Sequence, residues 1–251
     1  MAAKNEAQIW GVMAASGSGK GLWIKEQLRR MKPRRLVIWD YKDEYSEHAP
    51  DLARSLVPSQ QAMVKARRGP LQIRYKCKPG TNVKQTRAEF EALCRLVQAW
   101  GNCVFLAEEL SNVTTPSWAP AAWREMTTGG RHEAVHIIGV AQNPALIDKT
   151  FLSNCSMVHV GPLRQHTHRQ AVARAMDIPL QEITALEKFH YIQRHYDTKS
   201  VVRGRVYPPG EAPRARQARA TATGTADGGQ RAGAPAEIAP LQPTNQPESS
   251  T

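Results

Sequence analysis

The chain has 251 residues, of which 41% are hydrophobic, and it carries a formal net charge of +12. This length allows one substantial folded domain with a small appendage, and the basic excess favours a polyanionic partner, nucleic acid first. The absence of an apolar run of about 20 residues or of a signal-peptide core argues against a membrane span or secretion, and the spacing of the cysteines argues against a disulfide framework or a zinc site, so we expect a soluble, cytoplasmic protein.

The first predicted element is a buried strand at 9–13, followed by a glycine-rich loop and an amphipathic helix at 19–31. The loop reads Ala14-Ala15-Ser16-Gly17-Ser18-Gly19-Lys20-Gly21. Small residues let backbone N–H groups surround an anion, the helix N-terminus adds its positive end, and Lys20 reaches the β and γ phosphates. An ordinary strand-to-helix turn with a solvated lysine is the alternative. We predict a nucleotide site that uses Ser16, Gly17, Ser18, Gly19, Lys20, Gly21 and Leu22.

Two positions of this loop depart from the phosphate-binding pattern G-x-x-x-x-G-K-[ST]. Ala14 stands where the pattern has its first glycine, and Gly21 stands where it has the hydroxyl residue that ligates Mg²⁺. We therefore expect Glu108, water or Ser18 to substitute for the missing hydroxyl.

Beyond the loop, apolar runs alternate with helical patterns. This alternation predicts an α/β domain over residues 1–207 with a mostly parallel sheet and a closing C-terminal hairpin. Residues 208–251 are poor in large apolar side chains, which predicts a disordered tail. The predicted strands are 36–39, 71–77, 103–107, 135–141 and 157–160, the helices are 60–67, 87–100, 119–127, 145–154, 164–176 and 179–186, and the hairpin pairs 191–194 with 201–206.

Polar side chains follow several of these strands. Glu108 and Glu109 end an apolar strand, Gln142 ends the next one, and Asp40 ends an early one. The carboxyl ends of parallel strands form the ligand-binding edge of an open α/β sheet. There Glu108 can hold hydrated Mg²⁺ and Glu109 can orient the attacking water. Solvated acids at a strand end are the alternative.

The order of these motifs resembles the FtsK–HerA superfamily of DNA-pumping ATPases. Asp40, Lys42, Glu44 and Tyr45 match its D-x-K-x-E-y element, and Glu108 and Glu109 match its two strand-end acids. Gly130-Arg131-His132 matches its G-R-H element, and Gln142-Asn143-Pro144 matches its Q-x-P element. The resemblance covers roughly residues 9–206 and extends to phage genome-packaging ATPases and zonula occludens toxin-like assembly ATPases.

This resemblance implies a RecA-like (ASCE) P-loop NTPase that hydrolyses ATP with Mg²⁺ as a ring, a hexamer or pentamer, moving double-stranded DNA. In that reading Lys20 holds the phosphates, Glu109 polarises water, Gln142 senses the γ-phosphate and Asp40 belongs to the nucleotide site. Arg131, or Arg124, acts as an arginine finger on a neighbouring subunit. We expect the host cytoplasm or the virion as its location and an assembly partner for the tail.

Two other functions stay open at this stage. The missing hydroxyl at position 21 favours a nucleotide-bound assembly protein without turnover. The G-K-G string at 19–21 is also typical of P-loop nucleotide kinases.

Overall fold

The structure is a computed structural model that describes residues 7–129 and 133–211. Helices and strands alternate along the chain, as the sequence predicts. The strands are β1 (Ile9–Met13), β2 (Arg35–Trp39), β3 (Asp51–Ala53), β4 (Leu71–Tyr75), β5 (Cys103–Ala107), β6 (Val135–Ala141), β7 (Met157–Val160), β8 (His190–His195) and β9 (Ser200–Arg205). The helices are α1 (Lys20–Met31), α2 (Leu56–Ala66), α3 (Val83–Trp100), α4 (Ala121–Gly129), α5 (Lys149–Asn154), α6 (His166–Met176) and α7 (Leu180–Thr184).

The strands form one sheet in the order β3-β4-β2-β5-β6-β1-β7-β8-β9. The pairs from β3 to β7 are parallel, whereas β8 and β9 join antiparallel as a closing hairpin. In this order β6 lies between β1 and β5, which is the extra strand expected of an ASCE-type sheet. The predicted α/β class, parallel sheet and hairpin are confirmed.

Both faces of the sheet are covered, so its central strands are buried at nearly every residue. Every residue of β2 is buried. Successive side chains point to opposite faces: Val37 and Trp39 join the core under α3 and α4, while Leu36 and Ile38 join the core under α1. This two-sided burial explains the continuous apolar runs of the central strands.

Several predicted boundaries are wrong, and each error has a local cause. Helix α3 begins at residue 83 instead of 87, because Asn82 and Gln85 form a reciprocal capping box. The helix predicted at 145–154 is divided into a 3₁₀ turn and α5, since the Asp148 carboxylate caps α5 at the backbone N–H groups of Thr150 and Phe151. Strand β3 was not predicted because it has only three residues, two of them exposed.

Smaller shifts affect the other elements. Helix α2 starts four residues earlier than predicted, α4 is displaced by two residues towards the C-terminus, α6 starts two residues later, and β4 ends at residue 75. From residue 212 onward the predicted tail 208–251 lies outside the described residues, and the domain boundary at 207 stays a prediction. No helix within residues 7–129 and 133–211 combines the length and apolarity needed to cross a membrane.

The amino edge of the sheet is held by Arg35, the first residue of β2. Its guanidinium is buried without a carboxylate partner among the described residues and instead donates five hydrogen bonds to backbone carbonyls. The acceptors are Arg67 (2.6 Å), Gly69 (3.3 Å), Trp100 (3.1 Å), Gly101 (3.0 Å) and Asn102 (2.9 Å). One side chain therefore ties the turn before β4 to the turn before β5.

The Trp100 ring lies 3.4 Å from the Arg35 guanidinium carbon, which adds a cation–π contact. Burial lowers the pKa of Arg35 from its ordinary value, yet a guanidinium stays charged at all ordinary pH values. The planar, five-donor fork explains why arginine suits this position.

We expect Arg35→Lys to lower the free energy of unfolding by roughly 2–3 kcal/mol, because an ammonium cannot reach carbonyls on both sides and leaves buried acceptors unpaired. Urea denaturation followed by circular dichroism measures the change. The neighbouring Arg34→Lys is the control; Arg34 is exposed, so its effect should stay within about 0.5 kcal/mol. Equal stability of the two variants would show that the five bonds do not hold this edge together.

Candidate functional site

The glycine-rich loop lies at the carboxyl edge of the sheet, near its middle. It leaves β1, which pairs with β6 on one side and β7 on the other. The Ala14 N–H donates to the Ala141 carbonyl at 3.3 Å, and the Ala15 N–H donates to the Pro162 carbonyl at 2.9 Å. These two hydrogen bonds anchor the loop to the end of β6 and to the segment after β7. This edge is where open α/β sheets bind ligands.

Glycine is required at two loop positions by backbone conformation. Gly17 has φ +76° and Gly19 has φ +96°, both in the left-handed region that side chains rarely adopt. A Cβ at Gly19 would also lie 2.9 Å from Cδ1 of Phe189, which packs on the loop. The loop therefore presents its backbone, and α1 starts directly after it with Lys20.

The alanine that replaces the first glycine of the pattern fits because of a distant glycine. A Cβ built on Gly161, just after β7, would lie only 3.0 Å from the Cβ of Ala14. Since Gly161 has no side chain, the Ala14 methyl group occupies that space.

The loop lines a cavity of about 290 Å³. Three lysines, Lys20, Lys25 and Lys42, face it, and a helix N-terminus adds partial positive charge. An anion of phosphate size and charge is the ligand that such a cavity favours. Of the residues predicted for the nucleotide site, those that line it are Ser16, Gly17, Gly19, Lys20, Gly21, Leu22 and Gln142.

Four predicted residues do not line this cavity: Ser18, Asp40, Glu108 and Glu109. The Ser18 hydroxyl donates to the Pro162 carbonyl at 3.5 Å and does not line the cavity. Asp40 is fully buried; its carboxylate accepts from the backbone N–H of Glu44 at 2.9 Å and of Tyr45 at 3.2 Å. Asp40 thus shapes the turn after β2, and that turn carries Lys42 and Glu44 to the cavity wall.

Glu109, which follows β5, contacts residues that follow two other strands, β2 and β6. Its Oε1 accepts a hydrogen bond from Gln142 Nε2 at 2.5 Å and forms an ion pair with Lys42 Nζ at 2.7 Å. Burial would lower the pKa of Lys42, but the hydrogen bond to Glu109 and the charges of Glu109, Glu108 and Glu44 outweigh it and raise the pKa. The carboxylate is held beside the cavity, and Glu109 itself adopts the left-handed backbone conformation, with φ +51°.

Glu108 is 1% exposed and does not line the cavity. Its Oε1 accepts from the Tyr45 hydroxyl at 2.6 Å, whereas its Oε2 is buried and has no hydrogen-bond partner among the described residues. Burial raises the pKa of Glu108, which the positive charge of Lys20 and the Tyr45 hydrogen bond oppose. Burial and the charge of Glu108 raise the pKa of Tyr45 well above its ordinary value, so this phenol stays a donor.

These side chains fit a divalent cation. An unpaired carboxylate oxygen is costly to bury, and a hard cation with oxygen ligands would satisfy it. Glu108 is the residue that would hold Mg²⁺, as the sequence predicts, and this assignment stays a prediction. The predicted finger Arg131 lies outside the described residues, and Arg124 is exposed on α4.

Some residues of the cavity wall were not assigned from the sequence. Lys42 and Glu44 match a motif and alternate after a strand end, but the sequence analysis gave them no role in the site. Lys25 and Phe189 gave no local signal. The antiparallel pairing of β8 with β7 brings Phe189, the residue before β8, back to the loop.

The chain matches no family model and no protein of known, curated function. Its fold is nevertheless similar to solved structures. The genome packaging NTPase B204 from Sulfolobus turreted icosahedral virus 2, in complex with AMPPCP, aligns with a TM-score of 0.62 at 14% identity, over 80% of this chain and 98% of that chain.

Two further solved structures have a similar fold. The DNA-packaging ATPase B204 from Sulfolobus turreted icosahedral virus aligns with a TM-score of 0.62 at 12% identity, over 81% of this chain and 100% of that one. VirB4 of Thermoanaerobacter pseudethanolicus aligns with a TM-score of 0.59 at 11% identity, over 83% and 91% of the two chains. The resemblance that the motif order predicts is thus confirmed: this chain has the fold of the FtsK–HerA-type P-loop ATPases.

Proposed function

We propose that this protein is an ATP-hydrolysing motor subunit that moves double-stranded DNA, in the manner of a viral genome-packaging ATPase. The observation that carries this proposal is the Glu109 carboxylate held by Lys42 and Gln142, two residues that line the lysine-rich cavity of the glycine-rich loop. The cavity suits phosphates, and the adjacent carboxylate suits activation of a water molecule.

Each residue has a distinct role in this reaction. Lys20 and the loop N–H groups bind the phosphates, Glu109 orients and polarises the attacking water, and Gln142 contacts the terminal phosphate. Lys42 holds the Glu109 carboxylate in place. Mg²⁺, held through Glu108, would neutralise charge that develops on the phosphate oxygens.

The similar structures support nucleotide chemistry. The B204 protein from Sulfolobus turreted icosahedral virus 2 was solved with AMPPCP, with AMP and with ATP-gammaS. That protein is a genome packaging NTPase, and its relative is a DNA-packaging ATPase. A location in the host cytoplasm or virion, and an assembly partner for the tail, are parts of the same proposal.

A basic surface at the opposite edge of the sheet supports a nucleic-acid partner. A cavity of about 700 Å³ lies at the amino ends of β2 and β5, and no acidic residue of the described chain lines it. We call its exposed cations, Lys32, Arg34 and Arg68, the basic edge. None of them has an ion-pair partner within residues 7–129 and 133–211, so they are available to phosphates.

A ring oligomer completes the proposal. No arginine of the described residues lines the phosphate cavity. An arginine finger from a neighbouring subunit, Arg131 or Arg124, would supply the positive charge that stabilises the transition state. A pentamer or hexamer closes such head-to-tail contacts into a ring.

Two other functions are weighed against this one. A nucleotide-bound assembly protein without turnover is favoured by Gly21, which lacks the metal-binding hydroxyl. A nucleotide kinase is disfavoured by the position of β6 between β1 and β5. The products separate all three: inorganic phosphate, no product, or a phosphorylated nucleotide.

Two substitutions test the catalytic assignment. We expect Glu109→Gln to keep ATP binding but to lower kcat by about 10²–10⁴-fold, because the amide cannot accept the proton of water. We expect Lys20→Ala to weaken ATP binding itself, because its charge contacts the phosphates directly. Release of inorganic phosphate with and without double-stranded DNA, alongside binding of a fluorescent ATP analogue, measures both effects.

The two variants serve as controls for each other, because Glu109→Gln should lower the rate of hydrolysis and Lys20→Ala should lower the affinity for ATP. Wild-type turnover in Glu109→Gln would show that Glu109 is not the catalytic carboxylate. Equal nucleotide affinity of Lys20→Ala and wild type would remove the cavity assignment. Nucleotide binding without any turnover in the wild type would select the assembly protein.

A subunit-mixing experiment tests the arginine finger. Lys20→Ala and Arg131→Ala should each be inactive alone. If Arg131 acts across the subunit interface, a mixed oligomer contains some interfaces with both native residues, so mixing the two variants should restore part of the turnover. Mixing Lys20→Ala with Arg124→Ala is the matched comparison; restoration only there would transfer the role to Arg124.

The basic edge predicts a specific loss of DNA affinity. We expect Arg34→Ala/Arg68→Ala to weaken DNA binding and to reduce the salt dependence of log K by about 2, since each phosphate contact contributes about 0.9. Arg95→Ala/Arg203→Ala removes the same charge from two arginines that are already paired with Glu91 and Glu182. An equal loss of DNA affinity in both double variants would mean that binding depends only on the net charge of the protein. Fluorescence anisotropy over a salt series distinguishes these results.

A further inference from the structure

Gly21 leaves open space where the phosphate-loop pattern has a hydroxyl group. A Cβ built on this residue would meet a single heavy atom within 4 Å, Glu44 Oε2, at an ordinary contact distance of 3.8 Å. The side chain nearest to the missing hydroxyl is therefore a carboxylate that comes from another strand end.

The position of Glu44 follows from the turn after β2. Asp40 accepts hydrogen bonds from the backbone N–H groups of Glu44 and Tyr45, which fixes the turn on both sides. Tyr45 then enters the core and donates to Glu108, while Glu44 lines the phosphate cavity. The Glu44 carboxylate has no hydrogen bond or ion pair with any side chain in the described part of the chain.

A second, independent feature points to a cation here. Glu108 is 1% exposed, and its Oε2 has no partner within residues 7–129 and 133–211. Two unpartnered carboxylates beside a phosphate-binding loop are the oxygen ligands that Mg²⁺ takes together with phosphates and water.

We propose that Glu44 supplies a divalent-cation ligand in place of the hydroxyl group that Gly21 lacks. This inference rests on the proposed function, in which the substrate is ATP with Mg²⁺. Glu44 and Gly21 are then a compensating pair: the glycine leaves the space, and the carboxylate serves the metal. Turnover does not require a serine or threonine at position 21.

The test measures metal-dependent nucleotide binding and needs no turnover. Binding of a fluorescent ATP analogue is titrated at increasing Mg²⁺, and Mn²⁺ bound with the nucleotide is counted by electron paramagnetic resonance. In Glu44→Gln we expect the Mg²⁺ concentration for half-maximal binding to rise at least about tenfold, the lower end of the effect of losing a metal-supporting group. Binding without metal should stay unchanged.

A second substitution should reverse this loss. In Gly21→Ser/Glu44→Gln a hydroxyl returns to the vacant position, which has room for it, so the Mg²⁺ requirement should fall back towards the wild-type value. Glu26→Gln is the matched control, because it also removes one carboxylate, but from the exposed face of α1, where Glu26 pairs with Arg29 and Arg30. Circular dichroism melting confirms that every variant is folded.

The possible results distinguish failure of the proposed function from failure of the Glu44 assignment. A wild type that binds no nucleotide, with or without metal, would remove the proposed function itself. A wild type with metal-dependent binding and a Glu44→Gln variant that matches it would overturn the role of Glu44 alone. A Glu44→Gln variant that loses affinity equally with and without Mg²⁺, or that Gly21→Ser does not rescue, would also overturn it.

Discussion

The parallel pairing of β2, β5, β6 and β1 is the constraint on which the candidate site depends. Parallel neighbours end at the same edge, so residues that follow four strands far apart in sequence arrive together. Lys42 follows β2, Glu109 follows β5, Gln142 follows β6, and the glycine-rich loop follows β1. Glu109 joins three of these ends through its contacts with Lys42 and Gln142.

The two edges of the sheet are built by different means. At the carboxyl edge, one carboxylate is left partly satisfied, because Glu108 Oε2 has no partner among the described residues. At the amino edge, the Arg35 guanidinium is fully used by backbone carbonyls. Buried polar atoms without partners also occur elsewhere in the described chain, at Trp39, Trp123 and His136 for example, so the contrast between the two edges concerns Glu108 and Arg35 alone.

The departures from the phosphate-loop pattern are understandable only in three dimensions. Ala14 is tolerated because Gly161, on a neighbouring strand end, has no side chain. Gly21 is faced by Glu44 across the cavity. The first change is accommodated by a residue far away in sequence, and the second leaves a space that borders Glu44, so neither can be judged from the short pattern alone.

The sequence alone was sufficient for the fold class, the parallel sheet, the loop and the strand-end acids, because these follow from local periodicity and from residue types at strand ends. It could not place Phe189 against Gly19, assign Asp40 to a backbone turn, direct Ser18 towards Pro162 or reveal the Arg35 clamp. Strand β3 was also missed, since it is short and half-exposed and only pairing with β4 makes it a strand. The Asp40 turn is local and joins residues only four and five positions apart. The other features depend on contacts between residues 32 to 170 positions apart, which are decided by tertiary packing and leave no local pattern in the chain.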